Sequence, residues 1–246
     1  MRAVDALETL ELLGSSQHGL VTTAQARSAG VSNVDVKRLV DAGTLARARH
    51  GVYALPSAGV DQLQDLRAAW LAASAAGDVV VSGPSAAAVH GLGDLVPSRH
   101  EFSSSERRQS AQPDVRFRRA ELPAGDVVWV DGLPVTSVSR TVADLARASM
   151  DFDHFAAVLS DAVDKRDVSV SSLERAVDKY AHRHGAKSGR GLLATVAPGF
   201  VAAAVRAAVE TPGALAPSFR DELLRLLEDP DGADALLRVL RERAVG

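Results

Sequence analysis

Between residues 20 and 55, two polar helix starts with a glycine between them leave few ways for the chain to fold. Thr22 followed by Gln25, and Ser32 followed by Asp35, each put a capping oxygen ahead of a helical first turn with a polar partner three residues on. In Ala29-Gly30-Val31, Gly30 can take the left-handed conformation that ends one helix and lets the next leave at a steep angle. Gly43 closes the second helix, and Leu45 to Leu55 reads as a hairpin turning at His50-Gly51. Val4 to Leu13 supplies a further amphipathic helix with Gly14-Ser-Ser as its exit. Three helices and a hairpin in this order make a winged helix-turn-helix.

Within the second helix of the pair, Val36, Leu39 and Val40 form one apolar stripe, while Asn33, Lys37 and Arg38 fall largely on the other side. Asn33 suits adenine edges, Lys37 and Arg38 suit guanine edges or phosphates, and the helix start at Ser32 favours a phosphate oxygen. Arg47, Arg49 and His50 beside the hairpin turn are expected to hold the nucleic-acid backbone. Five basic residues (Arg27, Lys37, Arg38, Arg47, Arg49) against Asp35 and Asp41 give residues 20–55 a local balance of +3. Contacts of that number imply a salt-sensitive affinity suited to a homodimer or to cooperative binding on repeats. The same caps and glycine also serve any stable helical hairpin, and a winged helix also serves as a protein-contact module with no operator.

A chain of 246 residues is long enough for two modest domains, and its net charge of −3 excludes a protein that coats nucleic acid by bulk electrostatics. Cysteine is absent, so disulfides and thiolate metal sites are excluded and a reducing, cytoplasmic setting is expected. Asp5, Glu8 and Glu11 interrupt the N-terminal leucines as no signal peptide would allow, and no apolar run approaches the about 20 residues of a membrane span.

Pro56 to Gly59 reads as a linker, followed by a helix from about Asp61 to Ala76 with Leu63, Leu66, Trp70 and Leu71 in a stripe. Strands are expected over Val79–Ser82, His100–Ser103, Val115–Arg119 and Val127–Val130, a short helix over Pro84–Leu92, a turn over Asp131–Pro134 and a helix over Ser137–Arg147. From Phe152 onward the pattern is helical, punctuated at Gly185–Gly191, Thr211–Gly213 and Asp229–Gly232. The expected fold class is therefore α+β. It comprises an N-terminal winged helix-turn-helix (1–58) and a second domain (59–246), mixed over 59–150 and mainly helical over 151–246. Arg99, Arg107, Arg108, Arg116, Arg118 and Arg119 face only Glu101, Glu106 and Asp114 in sequence. A solvated strand and loop accounts for them; the competing reading makes Arg107, Arg108, Arg116 and Arg118 a second surface for nucleic acid or an acidic partner, with Arg116 and Arg118 on the strand face opposite Phe117.

Each enzyme reading lacks its constellation. A restriction-like nuclease needs an acidic-x-Lys pair, but Lys165, Lys179 and Lys187 follow Val163, Val177 and Gly185 at that spacing. Gly14-Ser15 and Asp151-Phe-Asp153 lie too far apart for a nucleotidyltransferase. His182 and His184, two apart, point to different sides, Lys187-Ser-Gly-Arg-Gly191 lacks Walker spacing, and Ser85 lacks the second glycine of a nucleophile elbow. No catalytic residue, cofactor or metal is expected, and an orphan nuclease-like protein ranks third among the readings.

Gly19-Leu-Val-Thr-Thr-Ala-Gln-Ala, Ala-Gly30-Val-Ser, Gly43-Thr-Leu and Arg-His-Gly51-Val-Tyr-Ala resemble the N-terminal winged helix of AbiEi-type antitoxins of type IV toxin–antitoxin systems. Ser85-Ala-Ala-Ala-Val-His90-Gly-Leu and Gly132-Leu-Pro-Val-Thr-Ser-Val-Ser-Arg140-Thr-Val-Ala-Asp-Leu145 are similar to two stretches of that family's C-terminal domain. The resemblance implies a transcriptional regulator that binds operator DNA upstream of its own gene and a C-terminal domain that opposes a nucleotidyltransferase-like toxin. Similar segments also precede small endonuclease domains, whose acidic-x-Lys motif is missing here. His90 and Arg140 fall in these stretches, yet a histidine capping a helix against glycine and an arginine salt-bridged to Asp144 one turn on are ordinary structural roles.

Overall fold

The computed structural model describes residues 2–59, 61–148, 150–165, 168–197, 200–211, 213–228, 236, 238 and 239. The break expected at Asp229–Gly232 lies outside the described residues. Among the described residues, no helix is long and apolar enough to cross a membrane.

The N-terminal elements follow the capping logic of the sequence. Helix α1 (Ala3–Gly14) leads through a loop into strand β1 (Leu20–Thr22), then α2 (Thr23–Ser28) and α3 (Asn33–Asp41). Thr22 and Gln25 form a reciprocal capping box, the Gln25 amide donating to Thr22 Oγ1 (3.1 Å) and the Thr22 amide to Gln25 Oε1 (2.8 Å). Gly30 sits at φ +83, and the Val31 amide closes back on the Ala26 carbonyl at 2.9 Å, so α2 ends where α3 must begin. Strands β2 (Ala46–Arg49) and β3 (Val52–Ala54) form the hairpin, and the small sheet runs β1-β3-β2, antiparallel throughout. Ala6, Leu10, Val21, Ala26, Val31, Val36, Leu39, Leu45, Tyr53 and Leu55 close the core between the helices and this sheet.

Helix α4 (Gln64–Ser74) packs Ala68 and Leu71 against Leu20 and Val52 of the small sheet. A second sheet, ordered β6-β5-β4-β8-β7, consists of β4 (Val80–Val81), β5 (His100–Ser104), β6 (Val115–Arg119), β7 (Val127–Val130) and β8 (Leu133–Thr136). β4 runs antiparallel to β5 and parallel to β8, and β5 parallel to β6. The turn expected over Asp131–Pro134 is only Asp131-Gly132. Both have positive φ (46 and 76), as a two-residue hairpin turn requires, and Leu133 to Thr136 continue as a fully buried strand.

Two compact units result: residues 1–82 with 98–135, and residues 83–97 with 136–246. This division differs from the expected one at residue 58, because α4 joins the winged sheet to the strands that follow it. In the second unit, α5 (Gly83–Val89) and α6 (Val138–Arg147) precede α7 (Phe152–Asp164), α8 (Val170–Asp178), α9 (Gly189–Val196), α10 (Phe200–Glu210) and α11 (Pro217–Glu228). Its core gathers Leu92, Val142, Leu145, Phe155, Leu159, Leu173, Leu192, Leu193 and Phe200, and α7 to α11 supply the helical content expected after Phe152.

Candidate nucleic-acid interface

Helix α3 presents its polar side as the sequence predicts. Val36 and Leu39 are buried, Val40 is half-buried, and Asn33, Lys37 and Arg38 are exposed. Ser32 is the N-cap: its Oγ accepts from the Asp35 amide at 3.1 Å and donates to Asp35 Oδ2 at 2.6 Å. That hydrogen bond holds the Asp35 carboxyl below its ordinary range, so a fixed anion sits inside the helix's first turn. Arg38 lies 3.5 Å from Asp35, and Lys37 lies 2.5 Å from Asp41 one turn on. Lys37 and Asp41 are both exposed, and such a surface pair is worth only about 0.3–0.5 kcal/mol, so a phosphate can displace Asp41, whereas Asp35 is buried beneath an exposed Arg38.

The wing is held at its tip. The Thr23 amide donates to the Gly51 carbonyl at 2.9 Å and the Thr23 hydroxyl to the same oxygen at 3.3 Å, tying the β2–β3 turn to the start of α2. Arg47 is exposed on β2 with its guanidinium 5.9 Å from the Tyr53 ring centre, and His50 is exposed in the turn.

Arg49 does not stand with them. A register shift between Arg47 and Arg49 accompanies a change of direction that carries the Arg49 guanidinium inward. Its side chain is 9% exposed and bonds Asp65 at 3.0 Å, Asp114 at 2.6 Å and Gln112 at 2.9 Å. It is a structural anchor rather than a group that holds a nucleic-acid backbone. The neighbouring Arg49 guanidinium lowers the Asp114 pKa, while the paired carboxylates more than offset burial and raise that of Arg49. Sequence reasoning missed this cluster because its acids and amide lie far along the chain from Arg49.

Asp65, His100 and Asp114 bring one ligand atom each within 4.8 Å of one another, the geometry of a metal-binding trio. His100 Nε2 lies 2.8 Å from Asp65 Oδ2. With Arg49 bonded to both carboxylates, the negative charge a divalent cation needs is already compensated, and the trio reads as an ion-pair cluster.

The second basic surface is smaller than expected. Arg108 donates to the Ala73 and Ala76 carbonyls at 3.1 and 2.7 Å, satisfying the end of α4. Arg116 and Arg118 do share one strand face, but both engage Glu101, at 3.4 and 2.7 Å, and Phe117 packs against Phe102 on the other. Arg107 and Arg116 remain exposed; Arg108 and Arg118 are committed to the fold. Arg140 Nε lies 3.1 Å from Asp144 Oδ2, the pairing expected of it, whereas His90 Nε2 lies 2.7 Å from the carbonyl of the distant Thr136, a structural contact other than the helix cap expected.

Residues 8–56 match the family model described as "Transcriptional regulator, AbiEi antitoxin", and residues 75–195 that of the "AbiEi antitoxin C-terminal domain". No protein of curated function matches the chain. Among solved structures, the chain is similar to the RV2827C protein from Mycobacterium tuberculosis, with 20% identity and a TM-score of 0.46, over 77% of this chain and 75% of that one. With its N-terminal and C-terminal parts matched in the family's own order, the chain belongs to the AbiEi antitoxin family of transcriptional regulators.

Proposed function

We propose that this protein is a non-catalytic cytoplasmic repressor that binds operator DNA upstream of its own gene and counteracts a nucleotidyltransferase-like toxin through residues 59–246. The observation that carries the DNA reading is α3: a capped, packed helix whose outward side holds Asn33, Lys37 and Arg38, beside a wing carrying Arg47 and His50. Ser32 and Asn33 place the helix start against the duplex, Lys37 and Arg38 take base edges or phosphates, and Arg47 and His50 follow the backbone. With few cations per chain, occupancy rests on two copies engaging repeats together.

One observation favours protein contact instead. Lys37 and Arg38 are each paired with an acid on the same helix, which leaves that surface closer to neutral than the sequence count implies. Binding of the purified protein to DNA from immediately upstream of its gene, against scrambled DNA at two salt concentrations, decides between the two. Selective binding that weakens steeply with salt supports the repressor; equal binding to both sequences removes it and leaves the protein-contact reading. For the toxin, co-expression with a nucleotidyltransferase encoded beside the gene restores growth if residues 59–246 oppose it, and fails to do so otherwise.

A further inference from the structure

The outward side of α3 contains a residue that neither folding nor charge accounts for. Val34 is 67% exposed, although it occupies the first turn of a helix that buries Val36 and Leu39. At about 100° per residue, Asn33, Lys37, Asp41 and Arg38 span an arc of about 140°, and Val34 falls about 100° into it, between Lys37 and Arg38. An exposed apolar residue is ordinary in itself. One placed among the polar groups of a recognition helix, at the end that enters the groove, is positioned to touch what those groups touch. Its β-branched side chain is also a poor choice for a solvent-exposed helical position, so helix stability does not call for it.

We propose that Val34 reads a thymine by packing its methyls on the 5-methyl group in the major groove, making this helix selective for an A·T pair at the step it faces. The thymine methyl is the one apolar feature a base edge offers there, and no cation or amide can recognise it. Asn33, the adjacent exposed residue, has the donor and acceptor that match an adenine edge. The two together address the thymine and adenine of neighbouring or paired positions, while Lys37 and Arg38 hold the strands on either side. This inference rests on the DNA-binding reading above and deepens it.

The test is a thermodynamic cycle on duplex DNA from immediately upstream of the gene, with the bound segment first located by chemical protection. Each thymine in that segment is replaced singly by deoxyuridine, which removes only the methyl, and affinity is measured for the wild type, Val34→Ser and Val34→Thr. At one thymine per bound helix the wild type loses about four-fold, as for returning one methyl to water. Val34→Ser binds the unmodified duplex more weakly and shows no loss with deoxyuridine, and Val34→Thr, which keeps a methyl, restores the response. Thermal unfolding of Val34→Ser matches that of the wild type. Selective binding in which no deoxyuridine effect depends on residue 34 overturns this inference and leaves the repressor reading standing. Absence of any preference over scrambled DNA overturns both.

Discussion

Replacing Arg49 by methionine separates the two roles that a basic residue on the wing can have. In the wild type the guanidinium bonds both oxygens of Asp65 at 3.0 Å, Asp114 at 2.6 Å and Gln112 at 2.9 Å, and its own side chain is 9% exposed. Hydrogen bonds to charged groups contribute about 1.5–3 kcal/mol each, without adding, and breaking a fully buried ion pair costs about 3–5 kcal/mol. The side chains of Asp65 and Asp114 are 67% and 44% exposed, so water takes over much of their solvation and the expected loss falls to about 2–3 kcal/mol. Methionine keeps the packing of the aliphatic stem, which isolates the charge. Both tryptophans, Trp70 and Trp129, lie in the same compact unit as the wing, so urea unfolding followed by their fluorescence reports on that unit. Asp114 adds a pH signature. Its folded pKa lies below its unfolded value, so its contribution is complete above about pH 3.9 and disappears as pH falls through the folded value. Arg49→Met therefore flattens that acid-side loss while leaving the slope of DNA affinity with salt unchanged. A stability loss under about 0.5 kcal/mol, or a salt slope shallower by about 0.9 as when one phosphate is no longer neutralised, would refute the assignment of Arg49 to the interior.

Three further variants probe other parts of the structure. Lys37→Ala with Arg38→Ala weakens operator binding by about 1–3 kcal/mol for each base edge no longer bonded, measured against the same duplex, and unchanged affinity removes α3 from its assigned role. His184 stacks on Phe152 and packs tilted against Phe155, its buried Nε2 has no hydrogen-bond partner among the described residues, and burial, then Arg183 and His182, lower its pKa. The unfolded chain binds that proton more readily, so stability falls as pH drops below about 6.5 toward the folded value. His184→Phe abolishes this dependence, which urea midpoints at pH 7.5 and 5.5 followed by helical circular dichroism read directly, both tryptophans lying in the other unit, at roughly equal values for the variant. Gly189→Ala places a Cβ where the Glu174 carbonyl oxygen and the Asp178 backbone already stand, so it costs about 1–3 kcal/mol in the α8–α9 packing; a variant as stable as the wild type contradicts that arrangement.

The parts of the fold legible in the sequence are those whose cause is local. The capping pairs at Thr22 and Ser32, the left-handed Gly30 and the stripe of Val36 and Leu39 each depend on residues within a turn or two, and each recurs in the structure as read. Strand β8 escaped because Gly132-Leu-Pro carries the composition of a turn, and only its place beside β4, through Val81 and Val135, makes Leu133–Thr136 a buried strand. The same limit governs the candidate site. A count of charges over residues 20–55 includes Arg49 but not Asp65 and Asp114, which neutralise it from elsewhere in the chain. Without Arg49, the segment offers Arg27, Lys37, Arg38 and Arg47 to phosphates, and if all four engage, the logarithmic salt slope for one chain is about −3.6. That is shallow for a selective repressor, and two chains on paired sites double it. The commitment of one arginine to the interior thus strengthens the case for cooperative occupancy: a measured slope near −3.6 with one chain per site denies it, and one near −7 requires a second chain on the DNA.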